Sequence, residues 1–147
     1  MNGFYINFFF IKFMFIFKNE PEVMTNLVIQ STDSTPHVEF LTNGTLTLKG
    51  RSLPEDVHKF YAPLIDWVKH LETDKAVIEL KLEYLNTSST KKLLNLLTAI
   101  DQNEKIKEID VKWHYEFDDL EMEDLGNIYE EDMKRAKFQY IEEVDIF

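Results

Sequence analysis

One run of residues holds the densest set of reactive groups in the chain: Asn86-Thr87-Ser88-Ser89-Thr90-Lys91. Its four adjacent hydroxyls are potential phosphoacceptors. Lys91 lies one helical turn beyond Thr87, within reach of a charge placed there. The run stands where an alternating strand pattern ends and a helical pattern begins. A helix start leaves N–H groups unpaired and pointing outward, so it suits an anion. A phosphoryl group on Thr87 would add about −1.5 to −2 charges and several hydrogen-bond acceptors. Ser88, Ser89 and Thr90 are the next candidate acceptors. Asn86, Ser88, Ser89 and Lys91 would then surround the phosphate and meet a partner. Plain N-capping explains the same residue types, because Asn, Ser and Thr satisfy those N–H groups unmodified. From the residues alone, capping is the simpler reading. Asn86-Thr87-Ser88 and Asn43-Gly44-Thr45 also fit a glycosylation sequon, which means little without a secretory signal.

Other chemistry is sparse. His37, His58, His70 and His114 show no metal-ligand spacing, and His114 falls on the polar side of its strand, as a solvated residue would. Gly3, Gly44, Gly50 and Gly126 form neither a phosphate-binding loop nor a dinucleotide fingerprint. The absence of cysteine excludes disulfides and thiolate chemistry. Asp118, Asp119, Glu121, Glu123 and Asp124 crowd together, but without EF-hand spacing. They read as a helix start, where carboxylates suit the positive end of the dipole. An acidic patch facing a partner is compatible with that. No cofactor, metal or catalytic residue is expected, and the chain reads as non-enzymatic.

These groups must be positioned by one domain, since 147 residues supply a single core. The net charge of −11 argues against nucleic acid and against an anionic membrane surface. Residues 1–23 stand apart. Phe4 to Phe17 is rich in phenylalanine, is interrupted by Lys12, is too short to span a bilayer as a helix, and lacks the marks of a signal peptide. Residues 1–23 are read as an apolar extension from a start codon assigned too early, with the domain occupying 24–147 from Met24. A membrane anchor is the alternative. The domain is expected in the cytoplasm.

The patterning gives an element order of β-β-β-α-β-α-β-α-β. Leu27 to Gln30 is a short strand. Val38 and Phe40, then Leu46 and Leu48, alternate around Asn43-Gly44, which predicts a two-residue hairpin turn. Ser52 or Leu53 before Pro54 predicts a helix start. Val57, Phe60, Tyr61, Leu64, Ile65, Val68 and Leu71 form its apolar stripe, with Pro63 expected to kink or divide the helix. Ile78, Leu80, Leu82 and Tyr84 share one strand face, opposite Glu79, Lys81 and Glu83. Leu93, Leu94, Leu97 and Ile100 mark the helix after Asn86. Ile109, Val111, Trp113 and Tyr115 alternate with Glu108, Asp110, Lys112 and His114. An acidic helix from Leu120 to Arg135 and a strand at Phe138 and Tyr140 finish the chain. Strands with one polar face predict an α/β two-layer sandwich, with helices on one side of a mixed sheet and right-handed crossovers.

Taken in order, several pieces resemble the SiaC family of bacterial regulatory phosphoproteins between about Ser31 and Ile141. They are Ser34-Thr35-Pro36, Gly50-Arg51-Ser52 with Pro54-Glu55, and Phe60-Tyr61 with Pro63 and Trp67. They continue through Leu82-Glu83-Tyr84-Leu85-Asn86-Thr87-Ser88-Ser89 with Lys91, to Trp113-His114-Tyr115. The family is similar in layout and logic to STAS-type anti-sigma factor antagonists. The resemblance implies a phosphoacceptor at Thr87, a dedicated protein kinase, a PP2C-like phosphatase and a partner-switching cycle. It further implies an effector such as a diguanylate cyclase, bound and regulated by the unphosphorylated form, with cyclic di-GMP and biofilm formation downstream. Two features depart from the family pattern: the N-terminal extension, and Thr90 where an apolar residue is expected. A passive interaction module without phosphorylation, or a small enzyme, are the competing classes.

Overall fold

The computed structural model describes residues 22–147. The expectation for residues 1–23 therefore falls almost wholly outside the described residues. Six strands form one sheet: β1 (Leu27–Ile29), β2 (His37–Phe40), β3 (Thr45–Ser52), β4 (Thr73–Leu85), β5 (Ile106–Glu116) and β6 (Lys137–Glu143). Three helices join them: α1 (Val57–His70), α2 (Thr87–Gln102) and α3 (Leu120–Asp132). The strands lie side by side in sequence order. The pairs β1·β2 and β2·β3 are antiparallel; β3·β4, β4·β5 and β5·β6 are parallel. Crossovers of one hand, added in one direction, place all three helices on the same face.

Alternation decides which side chains meet the helices. Leu46, Leu48, Ile78, Leu80, Val111 and Trp113 are buried in one core with Tyr61, Leu64, Leu93, Leu97 and Tyr129. The other sheet face carries Lys49, Lys75, Glu79, Lys81, Asp110 and Lys112, of which Lys75 with Asp110 and Lys112 with Glu79 form cross-strand ion pairs. Trp113 anchors α3: its indole N–H donates to the Met122 carbonyl at 2.9 Å. A Cβ on Gly126 would meet that indole at 2.8 Å, so glycine sets how closely α3 approaches.

Three local readings are corrected, and one, at Pro63, is narrowed. The hairpin exists, but its loop is Thr42-Asn43-Gly44. Only Gly44 has positive φ, at +96°, and the Leu41 N–H donates to the Thr45 carbonyl at 2.9 Å, the bond that closes a three-residue turn. Helix α1 starts at Val57 rather than after Ser52. Asp56 caps it by accepting from the Lys59 N–H at 2.9 Å, and Ser52 instead completes β3 opposite Leu85. Pro63 does not divide α1, which runs unbroken to His70 with Tyr61, Leu64 and Val68 buried. Tyr84 does not share the face of Leu82. The register slips between Gly50 and Arg51, so that Arg51 pairs with Tyr84 and Glu83 is the extra residue of a bulge. One added residue reverses every later side chain. Tyr84 is thus 45% exposed, with the Arg51 guanidinium 5.7 Å from its ring centroid.

The amino ends of the parallel strands are tied by a polar network. Asp101, 5% exposed, accepts from the N–H groups of Lys134, Arg135 and Ala136 at 2.9, 2.9 and 2.7 Å. Arg135 has left the predicted helix, and its guanidinium reaches the Asp101, Asn103 and Ile106 carbonyls. The Asn103 amide donates to the Val68 and Leu71 carbonyls, both at 2.8 Å, closing the end of α1.

Candidate functional site

Strand β4 delivers Asn86 to the start of α2 in extended conformation, as an N-cap requires. The Asn86 N–H donates to the Ser52 carbonyl at 3.1 Å, which fixes the junction to β3. Its side-chain oxygen accepts from the Ser89 N–H at 2.9 Å. Capping is therefore realised, but by Asn86 alone. The N–H groups of Thr87 and Ser88 at the helix start are left without a protein acceptor among the described residues.

The four hydroxyls fall into different environments. Ser89 is fully buried, and its Oγ accepts from Ser52 Oγ at 2.9 Å. Having spent its proton there, Ser52 Oγ must accept from Tyr61 OH, 2.7 Å away. Burial pushes the Tyr61 phenol up, and the hydrogen bonds to Ser52 and Ser89 pull it part of the way back. Thr90 is half-buried and donates to the Asn86 carbonyl at 3.0 Å. Ser88 is exposed and donates to Asn86 Oδ1 at 3.2 Å. Thr87 is exposed, and among the described residues its hydroxyl has no partner. Lys91 is exposed one turn on.

Two buried tyrosines hold this turn from opposite sides. Tyr61 comes from α1. Tyr129 comes from α3 and donates to the Thr90 carbonyl at 2.5 Å. The Tyr129 phenol is pushed well above its ordinary range, chiefly by burial and then by Tyr61. Sequence reasoning missed Ser52, Tyr61 and Tyr129 as parts of the site. Ser52 had a signal, since it shares the parity of the buried Leu46 and Leu48.

His114 departs from its expected place on a solvated face. It is 6% exposed rather than solvated. Its Nδ1 lies 2.5 Å from Glu143 Oε1, and its Nε2 lies 3.7 Å from Glu79 Oε2 without a hydrogen bond. Neighbouring strands, not helices, cover it. His37, His58 and His70 sit near Glu39, Lys92 and Asp66 respectively, and do not converge. Among the described residues, no group of three or more His, Asp or Glu is placed to hold a metal ion. The acidic run behaves as a helix start: Asp119 caps α3 by accepting from the Met122 N–H at 3.0 Å, and Glu121 and Glu123 occupy the first turn.

Residues 29–143 match the family described as SiaC family regulatory phosphoprotein. The chain belongs to the SiaC family. A regulatory rather than an enzymatic role follows from that membership. The solved structure of apo-SiaC from Pseudomonas aeruginosa matches with a TM-score of 0.69 and 29% identity, over 80% of this chain and 99% of that one. A chain in the structure of the diguanylate cyclase SiaD with its activator SiaC, from the same organism, matches with a TM-score of 0.70 and 28% identity over the same shares. An uncharacterized protein of P. aeruginosa strain UCBPP-PA14 is 30% identical over 114 residues, which is 74% of this chain and 90% of that protein. The six-stranded mixed sheet with three helices is the SiaC architecture. No described helix is long and apolar enough to cross a membrane.

Proposed function

We propose that this SiaC-family protein is a partner-switching regulator controlled by a phosphate on Thr87. Unphosphorylated, it binds and regulates an effector, a diguanylate cyclase being the first candidate. A protein kinase adds the phosphate and a PP2C-like phosphatase removes it. The observation that carries this is the environment of the hydroxyl run: of the four, only Thr87 is both exposed and uncommitted. The similarity to a cyclase activator supports the choice of effector.

The physical step is a change of charge on a neutral surface. A dianion at Thr87 is favoured by the free N–H groups of Thr87 and Ser88 and by Lys91. A partner seated against the neutral form must instead strip water from that dianion. About 3 kcal/mol of such cost weakens binding roughly a hundredfold.

Tandem mass spectrometry of the protein from its native host tests the site. A single phosphate on Thr87 is expected. A phosphate only on Ser88 or Thr90 moves the acceptor, and none under several growth conditions favours a passive module. Binding to the host's cyclase tests the switch: Thr87→Ala keeps most affinity, whereas Thr87→Asp and Thr87→Glu lose it. Tight binding by both acidic variants overturns the mechanism.

A further inference from the structure

Four of the eight large exposed apolar side chains among the described residues lie at one end of the sheet of this acidic protein. Tyr84, Phe117, Leu120 and Val144 are 45, 60, 64 and 76% exposed. They lie at the carboxyl end of β4, just after β5, at the start of α3 and just after β6, all at the end of the sheet that carries Thr87. The Phe117 N–H donates to the Glu143 carbonyl at 3.0 Å, which brings Phe117 beside Val144. A groove runs between the end of β4 and the first turns of α3. Its apolar wall is Tyr84, Leu85, Met122 and Leu125, and Thr90, one turn beyond Thr87, lines it too. Its rim is Glu83, Asp119 and Glu121, and no Lys or Arg lines it among the described residues. Its volume of about 220 Å³ suits one or two side chains rather than a small-molecule ligand.

We propose that this end of the sheet is the docking surface for the effector, and that the effector presents a large apolar anchor flanked by Lys or Arg. The inference rests on the regulatory reading above and names what the effector must bring. The apolar wall supplies a desolvated contact, while the acidic rim selects a basic partner and speeds its encounter. A second copy of this chain would set one acidic rim against another. An anionic lipid surface would meet the same repulsion. For a basic partner, the phosphate on Thr87 does not act through long-range repulsion. It acts at the edge of the apolar contact, where its hydration shell must be removed. The effect of Thr87→Glu therefore persists at high salt, whereas the contribution of the rim is screened.

The test uses the full chain and the host's diguanylate cyclase, measured calorimetrically at two salt concentrations. Leu120→Ser, an exposed position chosen to leave the fold intact, is expected to weaken binding about tenfold or more. Glu121→Lys weakens it about tenfold at low salt, and the difference shrinks as salt rises. Val28→Ser on β1, 52% exposed at the far edge of the sheet, leaves binding unchanged. Wild-type affinity in both Leu120→Ser and Glu121→Lys overturns this surface while the regulatory reading stands. If the wild-type chain binds no cyclase, the reading and the surface fall together. A wild-type dimer that Leu120→Ser dissolves makes the occupant a second copy and overturns the basic partner.

Discussion

At the amino ends of β4, β5 and β6 the chain is tied by Asp101, Asn103 and Arg135; at the carboxyl ends of β3 and β4 it is tied by Asn86, Ser52, Tyr61, Ser89 and Tyr129. The first set uses a carboxylate, an amide and a guanidinium, each bonded to several backbone groups. The second set uses a cap and a chain of neutral hydroxyls, each with one or two partners. Removing a buried carboxylate that accepts several backbone N–H groups leaves those groups unmatched and costs much. A neutral hydroxyl contributes about 1 kcal/mol. The fold is thus anchored at one end and left adjustable at the other, where a single added charge is to be felt.

Substitutions can break this contrast, beginning with the largest effect. Asp101→Ala should lose about 3 kcal/mol in denaturant unfolding, since three N–H groups lose their acceptor. The fraction that stays folded should still bind the effector. Tyr61→Phe should lose about 1 to 2 kcal/mol by removing the donor to Ser52. Amide hydrogen exchange should then quicken in the first turn of α2 but not around Asp101. Asn86→Ala should cost about 1 kcal/mol, the usual value of a cap, read by thermal melting. Thr87→Val should stay within about 0.5 kcal/mol of wild type, as for an exposed uncommitted side chain, while abolishing the phosphate. If Thr87→Val proves as costly as Asp101→Ala, the contrast between the two ends fails.

Alkaline pH offers the mildest probe. Tyr61 and Tyr129 both have raised phenol values in the folded state. Their contribution is fully present below the ordinary tyrosine value of about 10 and is lost as pH rises beyond it. The melting temperature should fall between about pH 10 and 12, and less steeply in Tyr61→Phe.

Most of the architecture was legible because each strand hides one face only. The alternation of Leu46 with Leu48, and of Val111 with Trp113, fixed both the strands and the side on which helices pack. Asn86 as a helix boundary was legible from capping chemistry. Three things were not. A bulge leaves no mark in a hydrophobic pattern, so Tyr84 was assigned to the wrong face. His114 is buried by Glu79 and Glu143 from strands far away in sequence, which no local pattern reveals. Ser52 looked like a cap because hydroxyls at chain turns usually are; its hydroxyl is instead turned inward to Tyr61 and Ser89. Within the hydroxyl run, the sequence offered four similar residues, and only burial and bonding separate Thr87 from the rest.

The strictly sequential order of the strands bears on how the molecule is assembled. Each new strand finds its partner in the one just made, so few long loops must close and the sheet can grow during synthesis. Ser52, Tyr61 and Ser89 all leave the ribosome before α3 does. The hydroxyl chain can therefore form on a partial sheet, and Tyr129 arrives later to fasten the Thr90 carbonyl. Helix α3, made after the hydroxyl chain, thus completes both the clasp on the acceptor turn and the wall of the groove beside it, and a nascent chain halted before α3 would carry Thr87 without either.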